Sequence, residues 1–280
     1  MSTVRELLQR SEFPRSNQYD PDWIIDGQMG PHPLWLAEWL STAVELEPGM
    51  RVLDLGCGKA LTSVFWAREF DVQVYAADLW TSVDDNWTRI VRAGEGRRVT
   101  PIHAEAHALP FAEGFFDAIV SADAYQYFGT DVLYLGYLSR LLRPGGMLGI
   151  AMPGLMQELP GGDVPAHLRK PQSNGNAFWE EECSCFETAA WWRALWLQCS
   201  RVQLSHADTL EDGWKLWRDF ERVVEESGRA LFPSCAEALD EDAGRYLGFV
   251  RLVARRTGIA GMNLYDPALS AKVEASGGGD

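Results

Sequence analysis

The sequence predicts a doubly wound α/β protein with a mostly parallel sheet, and three observations predict it. The stretch Arg51-Val52-Leu53-Asp54-Leu55-Gly56-Cys57-Gly58-Lys59-Ala60 is a short apolar run that ends in a glycine turn, with helix-forming residues following to Phe70. A second apolar run, Val72 to Ala77, closes at Asp78, so strand, helix and strand fill about 27 residues, as a βαβ unit does. The alternation continues to Met152, and alternating elements imply parallel strands joined by right-handed crossovers.

Met1 to Gly30 is polar and punctuated by Pro14, Pro21 and Gly27, with Tyr19, Trp23, Ile24 and Ile25 to bury, so it reads as a lid laid on the core. Pro31 and Pro33 open a helix whose apolar positions Leu34, Leu36, Trp39, Leu40 and Val44 recur at helical spacing. After the βαβ unit, Asp85 to Ala93 predicts a helix, Val99 to His103 a strand, and Phe116 to Ser121 a strand entered through Glu113-Gly114. Thr130 or Asp131 caps a helix over Val132 to Leu142 that stops before Pro144-Gly145-Gly146, and Met147 to Met152 is the fifth strand.

Pro153 to Trp179 is rich in Gly, Pro and Asn and too long for a plain connection, which points to a functional cap. Ser184 with Glu187 has the spacing of a capping box ahead of a helix carrying Trp191, Leu195, Trp196 and Cys199. Val202 to Thr209 alternates as a strand, and Trp214, Trp217, Phe220, Val223 and Val224 mark an amphipathic helix. Ala236 to Arg256 fits one long helix or a helix followed by a strand at Tyr246 to Ala254; periodicity leaves both open. The expected division is a lid and helix over 1–48, a ligand-binding core over 49–153, cap and remaining core over 154–258, and a tail over 259–280.

Composition narrows the partners. Hydrophobic content of 46% with twelve tryptophans supplies one sizeable core in 280 residues. A net charge of −15 opposes nucleic acid and anionic lipid, which need clustered Lys and Arg. With no leader pattern at Met1 to Asp20 and no run of about 18 apolar residues, a cytoplasmic protein with no membrane partner is expected. Five cysteines argue for reduced thiols. The spacing of Cys183, Cys185, Cys199 and His206 matches no common zinc pattern, so no metal is expected.

Two ligand classes use a glycine turn after the first strand of a βαβ unit: dinucleotides and the adenosine part of S-adenosylmethionine. A dinucleotide turn needs a third glycine where this chain has Leu61, and Asp54 would repel a pyrophosphate while suiting a cationic ligand. Asp78, 20 residues beyond Gly58, is placed to accept from two ribose hydroxyls of either ligand.

VLDLGCGKA, VYAADLW, HAEAHALPF, FDAIVSADAYQYF and LLRPGGMLGIAMPG, in that order over Arg51 to Pro153, resemble the successive motifs of class I S-adenosylmethionine-dependent methyltransferases. The small-molecule branch with quinone-biosynthesis, sterol and sarcosine methyltransferases is the most similar. The resemblance implies a seven-stranded, Rossmann-like sheet with an N-terminal helical lid and a helical cap after the fifth strand. It implies that Asp54, Gly56, Cys57 and Gly58 line the methionine and ribose part of S-adenosylmethionine, that Asp78 holds the ribose hydroxyls, and that Leu79 and Trp80 flank the adenine. Glu105 and Ala106 fall where the family reads the adenine edge, and Ser121, Ala122 and Asp123 where it supports the methionine moiety.

Many relatives carry His after the fourth strand, where this chain has Gln126 and Tyr127. The expected activity is in-line methyl transfer to a small apolar or aromatic metabolite enclosed by the lid, the Tyr125 to Phe128 loop and the cap. Tyr19 and Tyr127 are expected to orient the acceptor beside Gln126. Two alternatives stay open: a nicotinamide oxidoreductase, and a methyltransferase-like protein that uses the sulfonium otherwise, as in cyclopropane chemistry, or serves as a partner subunit. A homo-oligomer also stays open.

Overall fold

The computed structural model describes residues 4–258, and the tail expected over 259–280 lies outside them. The N-terminal segment forms α1 (Val4–Leu8), a 3₁₀ turn at Ser16–Gln18, α2 (Pro21–Gly27) and α3 (Pro33–Ser41). Asp20 caps α2 by accepting from the Asp22 N–H, and His32 caps α3 through Nδ1, which accepts from the Trp35 N–H at 3.1 Å. Pro21 and Pro33 stand at the first helical positions, where a missing N–H costs nothing. Buried Glu38 in α3 accepts from the N–H groups of Arg15 and Ser16 and from the Ser16 hydroxyl, which fastens the segment to the core.

The core runs β1 (Arg51–Leu55), α4 (Leu61–Phe70), β2 (Gln73–Asp78), α5 (Val83–Arg92), β3 (Val99–His103), β4 (Phe116–Ala122), α6 (Tyr134–Leu141) and β5 (Leu142–Leu155). The cap holds 3₁₀ turns at Pro160–Gly162 and Glu181–Cys185 and the helices α7 (Ala166–Arg169) and α8 (Ala189–Trp196). The chain then closes with β6 (Val202–Thr209), α9 (Gly213–Glu226), α10 (Ala236–Asp242) and β7 (Leu247–Arg256).

The seven strands lie in the order β3-β2-β1-β4-β5-β7-β6. Pairs among β1 to β5 are parallel, while β7 runs antiparallel to both β5 and β6. This is the expected doubly wound sheet, with its order reversing between β1 and β4. A crevice opens outside the carboxyl ends at such a reversal, because the two connections leave toward opposite faces. Apolar layers cover both faces: Trp66, Phe65 and Leu40 lie in one, and Trp192, Trp196, Tyr125 and Tyr134 in the other, all but fully buried. Arg251 of β7 is buried yet satisfied, forked onto Asp208 at 2.6 and 3.0 Å and donating to the Trp39 carbonyl.

Three local expectations change. The helix expected from Val132 under a Thr130 or Asp131 cap starts instead at Tyr134, with Leu133 ahead of it and no side-chain cap. The capping box at Ser184 and Glu187 does not form: Ser184 lies in a 3₁₀ turn, and Thr188 caps α8 by accepting from the Trp191 N–H. The reason is that Glu187 and Thr188 are held extended beside the end of β5, with the Leu155 N–H donating to the Glu187 carbonyl. The choice over Ala236 to Arg256 resolves as helix then strand. Ala243 and Gly244 turn left-handed (φ +51° and +74°), and buried Asp242 accepts from the N–H groups of Tyr246 and Leu247 to start β7. Among the described residues no helix is long and apolar enough to cross a membrane.

Candidate functional site

Three turns meet at the crevice. After β1 the chain reverses through Gly56 and Gly58, both left-handed (φ +71° and +52°). The N–H groups of Gly56 and Cys57 donate to the Ala77 carbonyl at 2.9 and 3.1 Å, which hangs this turn on β2. The Gly58 N–H donates to Asp78 Oδ2, and those of Trp80 and Thr81 to Asp78 Oδ1, each at 2.8 Å. One carboxylate therefore ties the glycine turn to the turn after β2. Asn86 of α5 braces the same turn by donating to the Gly58 carbonyl at 2.9 Å.

Asp54 is buried, and its Oδ2 accepts from the hydroxyls of Thr62 and Ser63 at 2.6 Å each, anchoring the start of α4. Among the described residues its Oδ1 has no partner. Burial raises its pKa to about 6; the two hydroxyls pull it back and Asp78 adds to the rise. Cys57 is buried too, and desolvation followed by the charges of Asp54 and Asp78 pushes its thiol well up, which leaves a small inert turn residue.

Leu79 and Trp80 are exposed beside Asp78. Glu105 accepts from the His107 N–H at 2.8 Å and meets His107 Nδ1 at 2.7 Å, so its carboxylate folds back on its own turn. The Ala106 carbonyl accepts from the Tyr134 hydroxyl at 3.1 Å, which fastens the loop after β3 to α6.

At the end of β4, Ser121 is buried with its hydroxyl unpartnered, Ala122 is half-buried, and Asp123 turns left-handed (φ +58°). Gln126 is fully buried and donates to Asp123 Oδ1 at 3.2 Å, while among the described residues its own Oε1 has no partner. Burial pushes Asp123 up to about 8, with Gln126 opposing and the charge of Glu221 adding. Tyr127 is half exposed; desolvation first and then Asp123 raise its pKa, so the phenol stays protonated.

The turns are packed to contact. A Cβ added at Gly56 would stand 2.3 Å from that of Ala124, and one at Gly58 would stand 2.9 Å from Met29 Sδ. A Cβ at Gly30 would stand 2.1 Å from Asp123 Oδ2. The N-terminal segment thus lies over the crevice through Met29 and Gly30, as a lid does.

The structure places Tyr19 apart from these three turns. It is buried against Trp23 and Phe65, and its hydroxyl donates to Glu69 at 3.0 Å. Glu69 lies eight residues past Leu61, about 12 Å along α4 from the glycine turn. The physical cause is α2, which starts two residues later at Pro21 and carries the following chain back to the crevice.

A family described as a methyltransferase domain matches residues 53–150, the region holding all three turns. The matched stretch is a methyltransferase domain. The chain is 26% identical over 189 residues to the demethylmenaquinone methyltransferase of Mycobacterium sp. (strain KMS), an alignment covering 60% of this chain and 78% of that one. A putative sarcosine dimethylglycine methyltransferase from Galdieria sulphuraria superposes with a TM-score of 0.62 at 18% identity, covering 80% and 84% of the two chains. The (4+2)-cyclase SpnF superposes with a TM-score of 0.58 at 19% identity, covering 86% and 85%. At such identities the structural likeness speaks for the fold.

The residues present suit S-adenosylmethionine. Asp54 Oδ1 and Ser121 Oγ are buried polar atoms still able to bond, and the left-handed glycines keep side chains out of the cradle. Met29, Gly30, Asn86 and Glu221 escaped the motif reading. Only Glu221 carries a local signal: it is an acid inside the apolar stripe Trp217, Phe220 and Val224 of α9.

Proposed function

We propose that the methyltransferase moves the sulfonium methyl of S-adenosylmethionine to a small apolar or aromatic acceptor held between the lid, the turn after β4 and the cap. The observation that carries this is the meeting of the glycine turn, Asp78 and the Ser121–Asp123 turn at the sheet's reversal point. Asp54 Oδ1 and the Gly56-Cys57-Gly58 turn would hold the methionine part with Ser121, Ala122 and Asp123. Asp78 would hold the ribose, and Leu79, Trp80, Glu105 and Ala106 would frame the adenine. When bound, the cofactor supplies an electrophilic methyl whose leaving sulfur becomes neutral. The protein's share is to align the acceptor and keep water away, which accounts for much of the rate in such displacements.

The same reading places the enzyme in the cytoplasm without nucleic-acid or membrane partners, supported by the net charge of −15. Incubation with a metabolite extract and a methyl-labelled donor, followed by mass spectrometry, should reveal one labelled small product. No labelled product, with S-adenosylhomocysteine still bound, would favour the second reading, a non-methylating use of the fold. The fold-level likeness to a (4+2)-cyclase gives that reading its ground.

The two tyrosines separate cleanly. Tyr127→Phe should lower kcat by about tenfold, the scale of one lost hydrogen bond to a reacting complex. Tyr19→Phe should leave kcat within about twofold and lower only stability, by about 1 kcal/mol for the lost Glu69 bond. Equal losses of kcat in both would return Tyr19 to the acceptor site.

A further inference from the structure

Where the turn after β4 faces α9, the groups that interact share one property. Asp123 and Glu221 lie within electrostatic reach of each other, and each is a sheltered carboxylate. The side chains acting on them are acids, amide, indole and thiol: Gln126 and Glu221 on Asp123; Trp217, Cys235 and Glu225 on Glu221. Among the described residues neither has a basic partner within ion-pair range. Glu221 accepts from the Cys235 N–H and from Trp217 Nε1, each at 3.3 Å. The desolvation that pushes Asp123 to about 8 pushes Glu221 to about 7.

Two such carboxylates repel each other, and sheltered charges without a counter-charge are costly. Gln126 adds an independent sign. Its side chain is fully buried, its amide nitrogen is spent on Asp123, and its Oε1 is an acceptor with no donor. Three acceptors with no cation among them complement an ammonium, which carries N–H donors and no acceptor. Next to them the walls are aromatic: Trp217 packs against Phe178 at 5.7 Å and Phe249 at 5.4 Å.

Resting on the methyltransferase reading above, we propose that the acceptor is an amine with an apolar or aromatic body, its protonated nitrogen received by Asp123, Gln126 and Glu221. An ammonium has no lone pair to offer. One N–H bond therefore breaks toward a carboxylate oxygen of Asp123 or Glu221, its electron pair stays on nitrogen, and the carboxyl becomes neutral. That lone pair then forms the N–CH₃ bond while the C–S pair remains on sulfur, and the carboxyl proton passes to solvent.

The test is calorimetry on the full chain saturated with S-adenosylhomocysteine at pH 7. The probes are matched pairs: phenethylamine against 2-phenylethanol, and tryptamine against tryptophol. The amine should bind at least about tenfold tighter than its alcohol, about 1.4 kcal/mol for one net charge-assisted contact. Glu221→Gln keeps an oxygen for the Cys235 N–H and should bring each pair within about twofold without changing S-adenosylhomocysteine affinity. Gln126→Leu, which removes the uncovered Oε1, serves as a second variant should the first fold poorly by thermal melting. Amines that bind no tighter than alcohols, or not at all, overturn the proposal, as does a preference that survives both variants. A wild-type chain that fails to bind S-adenosylhomocysteine overturns the methyltransferase reading instead, and this one with it.

Discussion

Asp78→Ala is expected to weaken S-adenosylhomocysteine binding by about a hundredfold or more, measured by calorimetry. The carboxylate would serve two ribose hydroxyls, and bonds to a charged acceptor contribute about 1.5–3 kcal/mol each, or about 3–6 kcal/mol for the pair. A second loss compounds the first. Asp78 also gathers the N–H groups of Gly58, Trp80 and Thr81, so its removal leaves three donors to water and frees the glycine turn from the turn after β2. Asp78→Asn separates the two effects: its remaining oxygen can still accept at one turn, and affinity should fall less than in the Ala variant. Unchanged affinity in Asp78→Ala would sink the cofactor pocket as drawn.

How much of this was legible in the sequence depends on how far apart the cooperating residues stand. The bounds of β3 and β6 match their apolar and alternating runs residue for residue, because each run is bordered by residues that leave the sheet at once. The turns at the crevice were legible for the same reason: Asp54 to Gly58, Asp78 and Ser121 to Asp123 each sit at the end of one strand, inside one short window. The start of β7 was not, since it depends on a buried carboxylate, Asp242, whose burial no period reveals. Likewise the capping residue of α8 was decided by a long-range contact between Leu155 and Thr188.

The proposed acceptor side shows the limit most clearly. Gly30, Asp123 and Glu221 come from three segments roughly 90 to 100 residues apart, and only the docking of the lid and α9 onto the end of β4 brings them together. Phe220, one residue before Glu221, packs edge-on to His32, two residues after Gly30, at 4.8 Å. Core packing between lid and α9 thus positions the acid. Tyr19 shows the complementary case: it stands near Met29 and Gly30 in sequence, but the helical turns between Pro21 and Gly27 intervene.

Gly56→Val should cost about 2–5 kcal/mol of stability and abolish measurable S-adenosylhomocysteine binding. A β-branched residue at φ +71° is strained by about 1–2 kcal/mol. Its Cβ would also stand 2.3 Å from the Cβ of Ala124. Ala124 has no rotamer with which to withdraw, so the ends of β1 and β4 must part, an overpacking cost of about 1–3 kcal/mol. For a chain of this length the sum corresponds to a Tm lower by about 5–15 °C. Two controls divide the causes. Gly49→Ala meets a left-handed φ of +83° with nothing within 4 Å, so it should lose only the conformational part and keep full cofactor affinity. Gly56→Ala should be partly rescued by Ala124→Gly in the double variant, because the second change removes the atom that the first one strikes. If the double variant melts no higher than Gly56→Ala alone, then the close approach of the two turns is not what keeps a side chain out. The cradle would then owe its shape to the Ala77 carbonyl, which takes the N–H groups of both Gly56 and Cys57.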